Sequence, residues 1–296
     1  MNYLDLFSGI AGFRLGFEQA GWVFDYESHS EINKYANKVY ANHYPQSKEI
    51  GDVRNVIQRI GDKQIDLITF GFPCQDLSVA GRREGLSGER SGLFYEAIKI
   101  IKHFKPEIFI FENVEGILSN HEGRDFIEIL RTIANIGLYD CQWQLLDTRW
   151  VLPQNRSRLY FIGLARGKCT RQVFPVRSSD EEFVQKCTEN EGQEDIATAL
   201  RARDYKDATN ILAIPLKFLK RNQKNYQGKV AFTIDRCHSG GILIDHRYRK
   251  FTPKECLRLQ GFPDTWCDGL SDTQVYNLVG NAVSVPIVKL IARRLK

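Results

Sequence analysis

The sequence predicts an α/β fold, a doubly wound and mostly parallel sheet accompanied by a second, smaller module. Short apolar runs alternate with amphipathic stretches through about residue 165, which is the pattern of βαβ units. The chain has 296 residues, of which 43% are hydrophobic, enough for a sizeable core. From about residue 166 to 250 the alternation stops, and this change marks the second module.

Five short apolar runs are the strand candidates of the first domain. In chain order they cover residues 3–7, 23–26, 65–70, 108–111 and 159–162. Between the third and fourth runs, apolar residues recur at helical spacing from Leu93 to Phe104, and Pro106 stops that helix. Because ligands of such sheets bind outside the carboxyl ends of the strands, we expect Phe7, Cys74 and Glu112 to share one rim.

The second part of the chain has a different composition. Acidic residues crowd between 180 and 195, and residues 217–229 then carry five basic side chains without an acidic one. Afterwards, Thr252 and Glu255 form a capping box with Pro253 at the first helical position, Gly261 ends that helix, and a last helix covers 285–295. We predict one domain of residues 1–165 with 271–296, and a second domain and hinge of residues 166–270.

Composition narrows the class and the compartment. The net charge of +5 does not by itself require a nucleic-acid partner. The seven cysteines include no C-x-x-C pair, so neither a metal site nor a disulfide framework is indicated. No signal-like segment precedes the first strand, and no apolar run approaches membrane-spanning length. We expect a soluble cytoplasmic protein without membrane contact.

Cys74 is the first candidate for chemistry. It lies in the segment Gly71-Phe72-Pro73-Cys74-Gln75, directly after an apolar strand and at the base of a loop rich in Gly, Ser and Arg. This position suits a nucleophile whose substrate is covered after binding. The alternative is a small hydrophobic residue in the core, which is what most single cysteines are.

A glycine turn and two later acids suggest a cofactor site. Asp5 to Gly12 run from a strand through two glycines into a helix, a turn that lets a ligand approach the backbone. Glu31 follows the second strand, where an acid can accept hydrogen bonds from ribose hydroxyls, and Asp52 follows the next. The alternatives are a turn without a ligand and a solvated carboxylate that caps a helix near Ile32. The pattern favours a cofactor containing a nucleoside.

Charged groups at two other strand boundaries complete the pattern. Glu112 leaves an apolar strand toward the same rim as Cys74 and is suited to proton donation, or to a structural ion pair. Arg156 and Arg158 alternate on entry to the last strand, so they point to one face and suit a phosphate or a carbonyl oxygen; a charged strand edge is the alternative. The basic run 217–229 suits phosphate and base contacts, or a solvated loop.

Taken together, these segments resemble those of DNA (cytosine-5) methyltransferases. The resemblance rests on Asp5 to Gly12, Pro-Cys-Gln at 73–75, Glu-Asn-Val at 112–114, Gln-x-Arg-x-Arg at 154–158, Arg249 to Pro263 and Gly-Asn-Ala-Val at 280–283, which occur in that order. It spans nearly the whole chain except a variable region of about 166–248. It implies a Rossmann-like methyltransferase domain with a smaller, irregular target-recognition domain.

The resemblance also implies the reaction. Cys74 adds to carbon 6 of a cytosine flipped out of duplex DNA, while Glu112 hydrogen-bonds the ring nitrogen and the exocyclic amine. Carbon 5 then takes the methyl group of S-adenosyl-L-methionine, which leaves S-adenosyl-L-homocysteine. Arg158 contacts the cytosine carbonyl and Arg156 a nearby phosphate. Activation of the aromatic ring is what requires both the thiol and the acid.

Further positions follow from the same resemblance. The cofactor residues implied are Phe7, Gly9, Ile10, Gly12, Glu31, Ile32, Asp52, Val53, Pro73, Leu93, Asn281 and Val283. The DNA-contacting residues that it implies are Gln75, Ser78, Ala80, Arg82, Arg83 and Thr233. The composition of the basic run adds Lys220, Arg221, Asn222, Gln223 and Lys224 as expected DNA contacts. Asn33 stands where many members have Asp, and Ala80 where some have a polar residue that helps to displace the base, so which side chain fills that space is open.

Other functions compete with this one. A nicotinamide or flavin oxidoreductase shares the sheet and the glycine turn but leaves Pro-Cys-Gln, Glu-Asn-Val and the arginine pair without roles. A catalytically silent DNA-binding protein needs neither Cys74 nor Glu112. An RNA cytosine-5 methyltransferase of the same family is the runner-up, and the substantial variable region favours duplex DNA instead. We expect a monomer in a prokaryotic or phage-infected cell, with or without a companion restriction endonuclease.

Overall fold

The structure is a computed structural model that describes residues 1–73, 92–168, 171–177 and 247–296, together with segments 212–215, 231–232 and 240–244. For the three short segments and for residues 247–249 it describes the backbone alone. The loop from Cys74 to residue 91 and most of the variable region lie outside these ranges.

The described residues form alternating strands and helices. The strands are β1 (Asn2–Leu6), β2 (Tyr26–Ser30), β3 (Lys48–Glu49), β4 (Leu67–Phe70), β5 (Ile108–Val114), β6 (Tyr139–Asp147), β7 (Gln154–Asn155), β8 (Ser157–Ala165), β9 (Leu212–Pro215), β10 (Ala231–Phe232), β11 (Gly240–Ile244) and β12 (Arg247–Lys250). The helices are α1 (Gly12–Gln19), α2 (Lys34–His43), α3 (Val56–Ile60), α4 (Leu93–Phe104), α5 (Arg124–Ala134), α6 (Pro253–Gln260), α7 (Asp272–Asn281) and α8 (Val285–Arg294).

Seven strands form one sheet in the order β3-β2-β1-β4-β5-β8-β6. The pairs from β3 to β5 are parallel, and β8 is antiparallel to β5. The predicted α/β fold with a mostly parallel, doubly wound sheet is therefore confirmed. Apart from this sheet, β7 pairs with β10, and β9, β11 and β12 form a small antiparallel sheet.

One predicted strand is in the wrong place. The apolar run 23–26 was expected to be a strand, but β2 begins only at Tyr26 and continues through the polar residues to Ser30. The side chain of Val23 is 83% exposed. The apolar run is thus an irregular connection in which Val23 is exposed and Phe24 is buried, whereas the polar run is the buried strand.

The two faces of the sheet bury different kinds of side chain. Leu4 and Leu6 of β1 face an apolar core that continues through α3 and α4. In this core the ring of Phe111 stacks on Phe70 at 4.8 Å and on Phe161 at 4.4 Å between centroids. Such aromatic packing holds the ends of β4 and β5 rigidly in place.

The opposite face carries a buried polar network. Asp5 accepts a hydrogen bond of 2.7 Å from the Thr69 hydroxyl, which lies 2.6 Å from the Tyr3 hydroxyl. Arg14 of α1 donates to both carboxylate oxygens of Glu27, at 2.6 and 2.9 Å. Desolvation by burial raises the pKa of Asp5 to about 8, against the lowering effect of its hydrogen bonds. Asp5 therefore holds its proton through most of the neutral range.

The end of the chain folds as its motifs predict. Thr252 accepts from the backbone of Glu255 while the Glu255 side chain accepts from the backbone of Thr252, with Pro253 at the first helical position. Gly261 closes α6 in the left-handed conformation. A Cβ on Gly261 would lie 2.5 Å from the Pro286 ring, so close packing as well as φ requires glycine there.

The chain divides into two compact units. One unit comprises Met1–Leu146, Ser157–Val176 and Ile291–Lys296, and the other comprises Asp147–Arg156 and Arg177–Leu290. The first unit contains the whole apolar core of the large sheet. The predicted functional division, residues 1–165 with 271–296 against 166–270, stays a prediction.

Within the described ranges, one stretch, Asp272–Arg294, is apolar and long enough to cross a membrane by length and composition. The sequence was expected to contain no apolar run of this length. The stretch comprises α7 and α8, and 72% of its most apolar 18 residues are buried inside the protein. Core helices have the same composition, so the burial accounts for it without a membrane.

Candidate active site

Three parallel strands, β2, β1 and β4, end at the same level on one edge of the sheet, and β5 continues past that level to Val114. Their last common row of paired residues runs across β2, β1, β4 and β5, so the residues that follow lie side by side. In order across the sheet these residues are Glu31, Phe7, Gly71 and Glu112. The structure thus places Phe7 and Glu112 on one rim. Cys74, three residues after Gly71, lies outside the described residues.

The turn after β1 has an unusual backbone. Phe7, Gly9 and Ala11 have φ values of 51°, 52° and 66°, all in the left-handed region that non-glycine residues rarely adopt. A Cβ on Gly9 would meet no atom within 4 Å, so the need for glycine there is conformational. Alternating conformations of this kind turn successive amides toward one side and can form a concave ligand site.

Glu31 joins this turn to the next one. Its Oε2 accepts a hydrogen bond of 3.0 Å from the Gly9 amide, and its Oε1 accepts bonds of 2.8 Å from the amides of Ile32 and Asn33. Asn33 in turn caps α2 by accepting from the Tyr35 amide at 2.9 Å. The carboxylate is therefore fixed at the rim by three backbone donors. Beside it, the Ile32 side chain is 79% exposed, an apolar surface at the same rim.

The remaining expected cofactor residues of the first unit differ from Glu31 in burial and in hydrogen bonding. Asp52 accepts from the Arg54 amide at 2.9 Å and forms an exposed ion pair with its guanidinium at 3.2 Å. Ile10 and Val53 are buried, which leaves mainly their backbones for a ligand. Leu93, the first residue of α4, is half-buried against the apolar core. Pro73 is half-buried at the last described position before Cys74, and Gly12 begins α1.

Glu112 forms an ion pair with Arg158. The Arg158 Nε lies 3.0 Å from Glu112 Oε1, and the two side chains are only 16% and 11% exposed. β8 pairs Arg158 with Val114, so Arg158 and Glu112 lie diagonally on one face of the sheet. A Cβ on Gly71 would lie 3.6 Å from Glu112 Oε2, so the second oxygen borders the segment that leads to Cys74.

Asn113 fixes the approach to Cys74. Its side-chain amide donates to the carbonyl of Phe72 at 3.2 Å, and its own Oδ1 accepts from the Val114 amide at 2.8 Å. Phe72 is buried against Phe94 and Phe111. Asn113 belongs to the Glu-Asn-Val motif at 112–114, from which no role was predicted for it. A polar residue directly after a candidate acid at a strand end was the available signal.

Arg156 differs from Arg158 in its surroundings. It is 3% exposed and belongs to the second unit. Its Nη2 donates to the carbonyl of Ala282 at 2.7 Å, and its Nη1 donates to the carbonyl of Gly280 at 3.4 Å. A phosphate contact by Arg156, expected from the sequence, stays a prediction that these contacts do not support.

The other expected residues of the second unit are Asn281, exposed at the end of α7, and Val283, which is buried. The expected residues Cys74, Gln75, Ser78, Ala80, Arg82, Arg83, Lys220, Arg221, Asn222, Gln223, Lys224 and Thr233 lie outside the described residues. Among the residues that the structure does describe, no group of three or more His, Cys, Asp or Glu side chains could hold a metal ion.

Known proteins match the chain over its full length. The family model described as C-5 cytosine-specific DNA methylase matches residues 1–296. Type II methyltransferase M1.ScrFI of Lactococcus lactis subsp. cremoris is 34% identical over 99% of this chain and 77% of that protein. Type II methyltransferase M.NlaX of Neisseria lactamica is 32% identical over 99% of this chain and 95% of that protein.

Solved structures match the fold. The S. pombe Dnmt2 methyltransferase has a TM-score of 0.73 and 22% identity, over 100% of this chain and 98% of that chain. A putative DNA modification methyltransferase encoded within an E. coli prophage has a TM-score of 0.65 and 20% identity, over 100% and 98% of the two chains. At these identities the likeness concerns the arrangement of strands and helices.

Proposed function

The chain belongs to the family of C-5 cytosine-specific DNA methylases, and on that premise we propose that it methylates cytosine in duplex DNA through a covalent adduct with Cys74. It is a sequence-specific DNA (cytosine-5-)-methyltransferase of the type found in restriction-modification systems. The adduct, the residues that form it and the state of the DNA are the proposed parts. One observation supports them most: the Glu112 carboxylate borders the strand exit that leads to Cys74.

The chemistry requires a nucleophile and an acid on one rim. Carbon 5 of cytosine is a poor nucleophile while the ring is aromatic. Addition of the Cys74 thiolate forms a bond from sulfur to carbon 6 and makes carbon 5 electron-rich. After carbon 5 has been methylated, loss of its proton breaks the bond to sulfur, so that the thiolate and 5-methylcytosine are released. Because a stacked base cannot be attacked on its face, the cytosine must leave the helix.

Glu112 and Arg158 stabilise the adduct in this proposal. Addition at carbon 6 moves electron density onto the ring nitrogen and the carbonyl oxygen of cytosine. Glu112 acts as the acid: it donates a proton to the ring nitrogen, accepts a hydrogen bond from the exocyclic amine, and takes the proton back when the thiolate leaves. Arg158 donates to the carbonyl oxygen. Their contact at 3.0 Å holds both groups in place before the base arrives. Preorganised charges of this kind need no rearrangement during the reaction.

Methyltransferases of this family use S-adenosylmethionine, which when bound supplies an electrophilic methyl group and leaves S-adenosylhomocysteine. The described residues fit such a group. The left-handed turn at Phe7 and Gly9 exposes backbone to a ligand, Glu31 offers a fixed carboxylate to ribose hydroxyls, and Ile32 offers an apolar surface to the adenine. Asn281 and Val283 are proposed at the methionine end, with Asp52, Leu93 and Pro73 at the adenine.

Glu31→Ala is expected to weaken S-adenosylmethionine binding by about 1–3 kcal/mol, the usual cost of losing a charge-assisted hydrogen bond. The change also frees the Gly9 amide, which loosens the turn. Titration calorimetry with S-adenosylmethionine and S-adenosylhomocysteine measures the loss. Glu49→Ala is the matched control, because this exposed carboxylate in the same unit accepts a hydrogen bond from the Asn37 side-chain amide at 2.7 Å. Equal affinities for Glu31→Ala and wild type would contradict the assignment.

We propose that residues 166–248 read the DNA sequence and that residues 220–224 contact it. The support is the basic run 217–229, since cations and amides of this kind contact phosphates and base edges. Thr233 and residues 75–83 are proposed as further phosphate and loop contacts. The family acts on DNA; a monomeric state, a companion endonuclease and a cytoplasmic location stay predictions.

Exchange of residues 166–248 for the corresponding region of a relative with another target should transfer that relative's specificity while methylation persists, because Cys74 and Glu112 lie outside the region. The methylated sites are mapped by sequencing DNA from cells that express the exchanged chain. Within the region, Asn222→Ala is expected to relax discrimination by about 1–3 kcal/mol at one base pair. Unchanged specificity after the exchange would place sequence recognition elsewhere in the chain.

Bisulfite sequencing of DNA from cells that express the chain tests the function as a whole. The expected result is protection of cytosines at one short recurring sequence, and loss of that protection in cells that express Cys74→Ala. Bisulfite sequencing of RNA from the same cells tests the alternative, an RNA methyltransferase. Absence of protected cytosines in DNA, with protection in RNA, would replace the proposed substrate.

A further inference from the structure

Arg156 bonds the backbone on both sides of Asn281 in the sequence. Its guanidinium donates to the carbonyls of Gly280 and Ala282, the residues immediately before and after Asn281. The Arg156 carbonyl itself accepts from the Thr148 amide at 3.0 Å, so its own backbone is anchored. All these residues belong to the same compact unit. The arrangement fixes the Gly280–Asn281 peptide group and the Ala282–Val283 peptide group, so the backbone is held at two points around one exposed side chain.

The physical setting suits this role and opposes a phosphate contact. Asn281 is the last residue of α7, where unsatisfied carbonyls carry partial negative charge that a cation stabilises. The planar fork of arginine presents its donors to two acceptors in a fixed geometry, whereas the donors of lysine sit on one compact, freely rotating ammonium group. A guanidinium that is 3% exposed and bonded to these carbonyls would have to leave them before it could meet a phosphate.

We propose that Arg156 is a positioning residue for the cofactor end of the reaction: it orients Asn281 by fixing the carbonyls of the residues before and after it, and it does not contact DNA. The inference rests on the proposed function, since that function places Asn281 at the methionine end of S-adenosylmethionine. Arg156 and Arg158 then serve different ligands although they alternate on one strand entry. Arg158 acts on the cytosine, and Arg156 acts through Asn281.

A double-mutant cycle on the full chain tests the proposal. Arg156→Lys keeps the charge but loses the fork, and Asn281→Ala removes an exposed side chain. Each is expected to weaken S-adenosylmethionine binding about tenfold by calorimetry. The double variant should be no weaker than either single one, because the arginine acts through the asparagine. Additive losses, or full affinity in Asn281→Ala, would overturn the proposal.

A control variant separates positioning from stability. Gln260 of α6 is buried, and its amide donates at 3.3 Å to the carbonyl of Val279 on α7, the helix that Asn281 ends. Gln260→Leu should lower the melting temperature as Arg156→Lys does, yet leave the affinity for S-adenosylmethionine unchanged. If Gln260→Leu weakens that affinity as much as Arg156→Lys, the role of Arg156 is merely structural and the proposal fails.

Salt titration of binding to a duplex with the methylated site tests the alternative, a phosphate contact by Arg156. A lost phosphate contact would lower the slope of log affinity against log salt by about 0.9. The variant for this test is Arg156→Gln, which removes the charge, because Arg156→Lys would preserve an ionic contact with a phosphate. We expect no change in slope; a flatter slope would overturn the proposal and leave the function standing. A wild-type chain that binds no S-adenosylmethionine would instead refute the proposed function, and this inference with it.

Discussion

Cys74→Ala is expected to abolish methyl transfer to duplex DNA while affinity for S-adenosylmethionine stays nearly unchanged. The thiolate acts on cytosine alone, and without its addition carbon 5 remains part of an aromatic ring. Incorporation of labelled methyl groups into the mapped site measures the first quantity, and titration calorimetry measures the second. Near-normal turnover in Cys74→Ala would rule out the covalent route.

Cys141→Ala is the matched control for this experiment. Cys141 lies half-buried in β6, and burial raises the pKa of its thiol to about 12, so it carries no thiolate at neutral pH. This variant should methylate as the wild type does. Duplex DNA with 5-fluorocytosine at the target should trap a covalent complex with both wild type and Cys141→Ala, since fluorine blocks the loss of a proton from carbon 5. Cys74→Ala should form none.

The sequence predicted the apolar strands well because a strand buried on both faces needs a continuous apolar run. β4 and β5 are of this kind, and both lie within one or two residues of their expected starts. α4 matches the expected bounds, since its apolar stripe and the proline after it act locally. Elements whose signals lie in their own residues are therefore readable from sequence.

β2 was misplaced because its burial is polar. Glu27 pairs with Arg14 of α1, and His29 stacks on Tyr40 of α2 at 3.9 Å between ring centroids. Neither partner can be identified from the strand itself, so hydrophobicity pointed to the apolar connection before it, in which Phe24 is buried. The direction of β8 was equally unreadable, because an apolar run has the same pattern in a parallel and an antiparallel pair.

In the candidate site, too, the positions of residues could be predicted from local sequence, but their contacts could not. Glu31 and Glu112 were expected at the rim because each follows a strand, and the strand register puts them there. The contacts that hold them come from elsewhere in the chain. Arg156 meets carbonyls 124 and 126 residues away, and this separation hides its burial from any local pattern. Positions could thus be predicted, whereas partners required the fold.

Glu112→Gln is expected to lower the rate of methylation by a factor of about 10²–10⁴, the usual contribution of a positioned acid. The amide keeps the shape of the side chain but cannot supply the proton, and it leaves the buried charge of Arg158 without its carboxylate. Formation of the covalent complex with 5-fluorocytosine should slow by a similar factor, whereas calorimetry should find unchanged affinity for S-adenosylmethionine.

Glu115→Gln is the matched control for Glu112→Gln, because it makes the same chemical change on an exposed residue three positions along the chain. Its methylation rate should equal that of the wild type. Melting temperatures separate lost chemistry from lost stability, since breaking a partly buried ion pair costs about 1–3 kcal/mol. If Glu112→Gln forms the adduct and turns over at the wild-type rate, the carboxylate at 3.0 Å from Arg158 Nε is only a structural partner. The proton that activates cytosine must then come from another group on the rim.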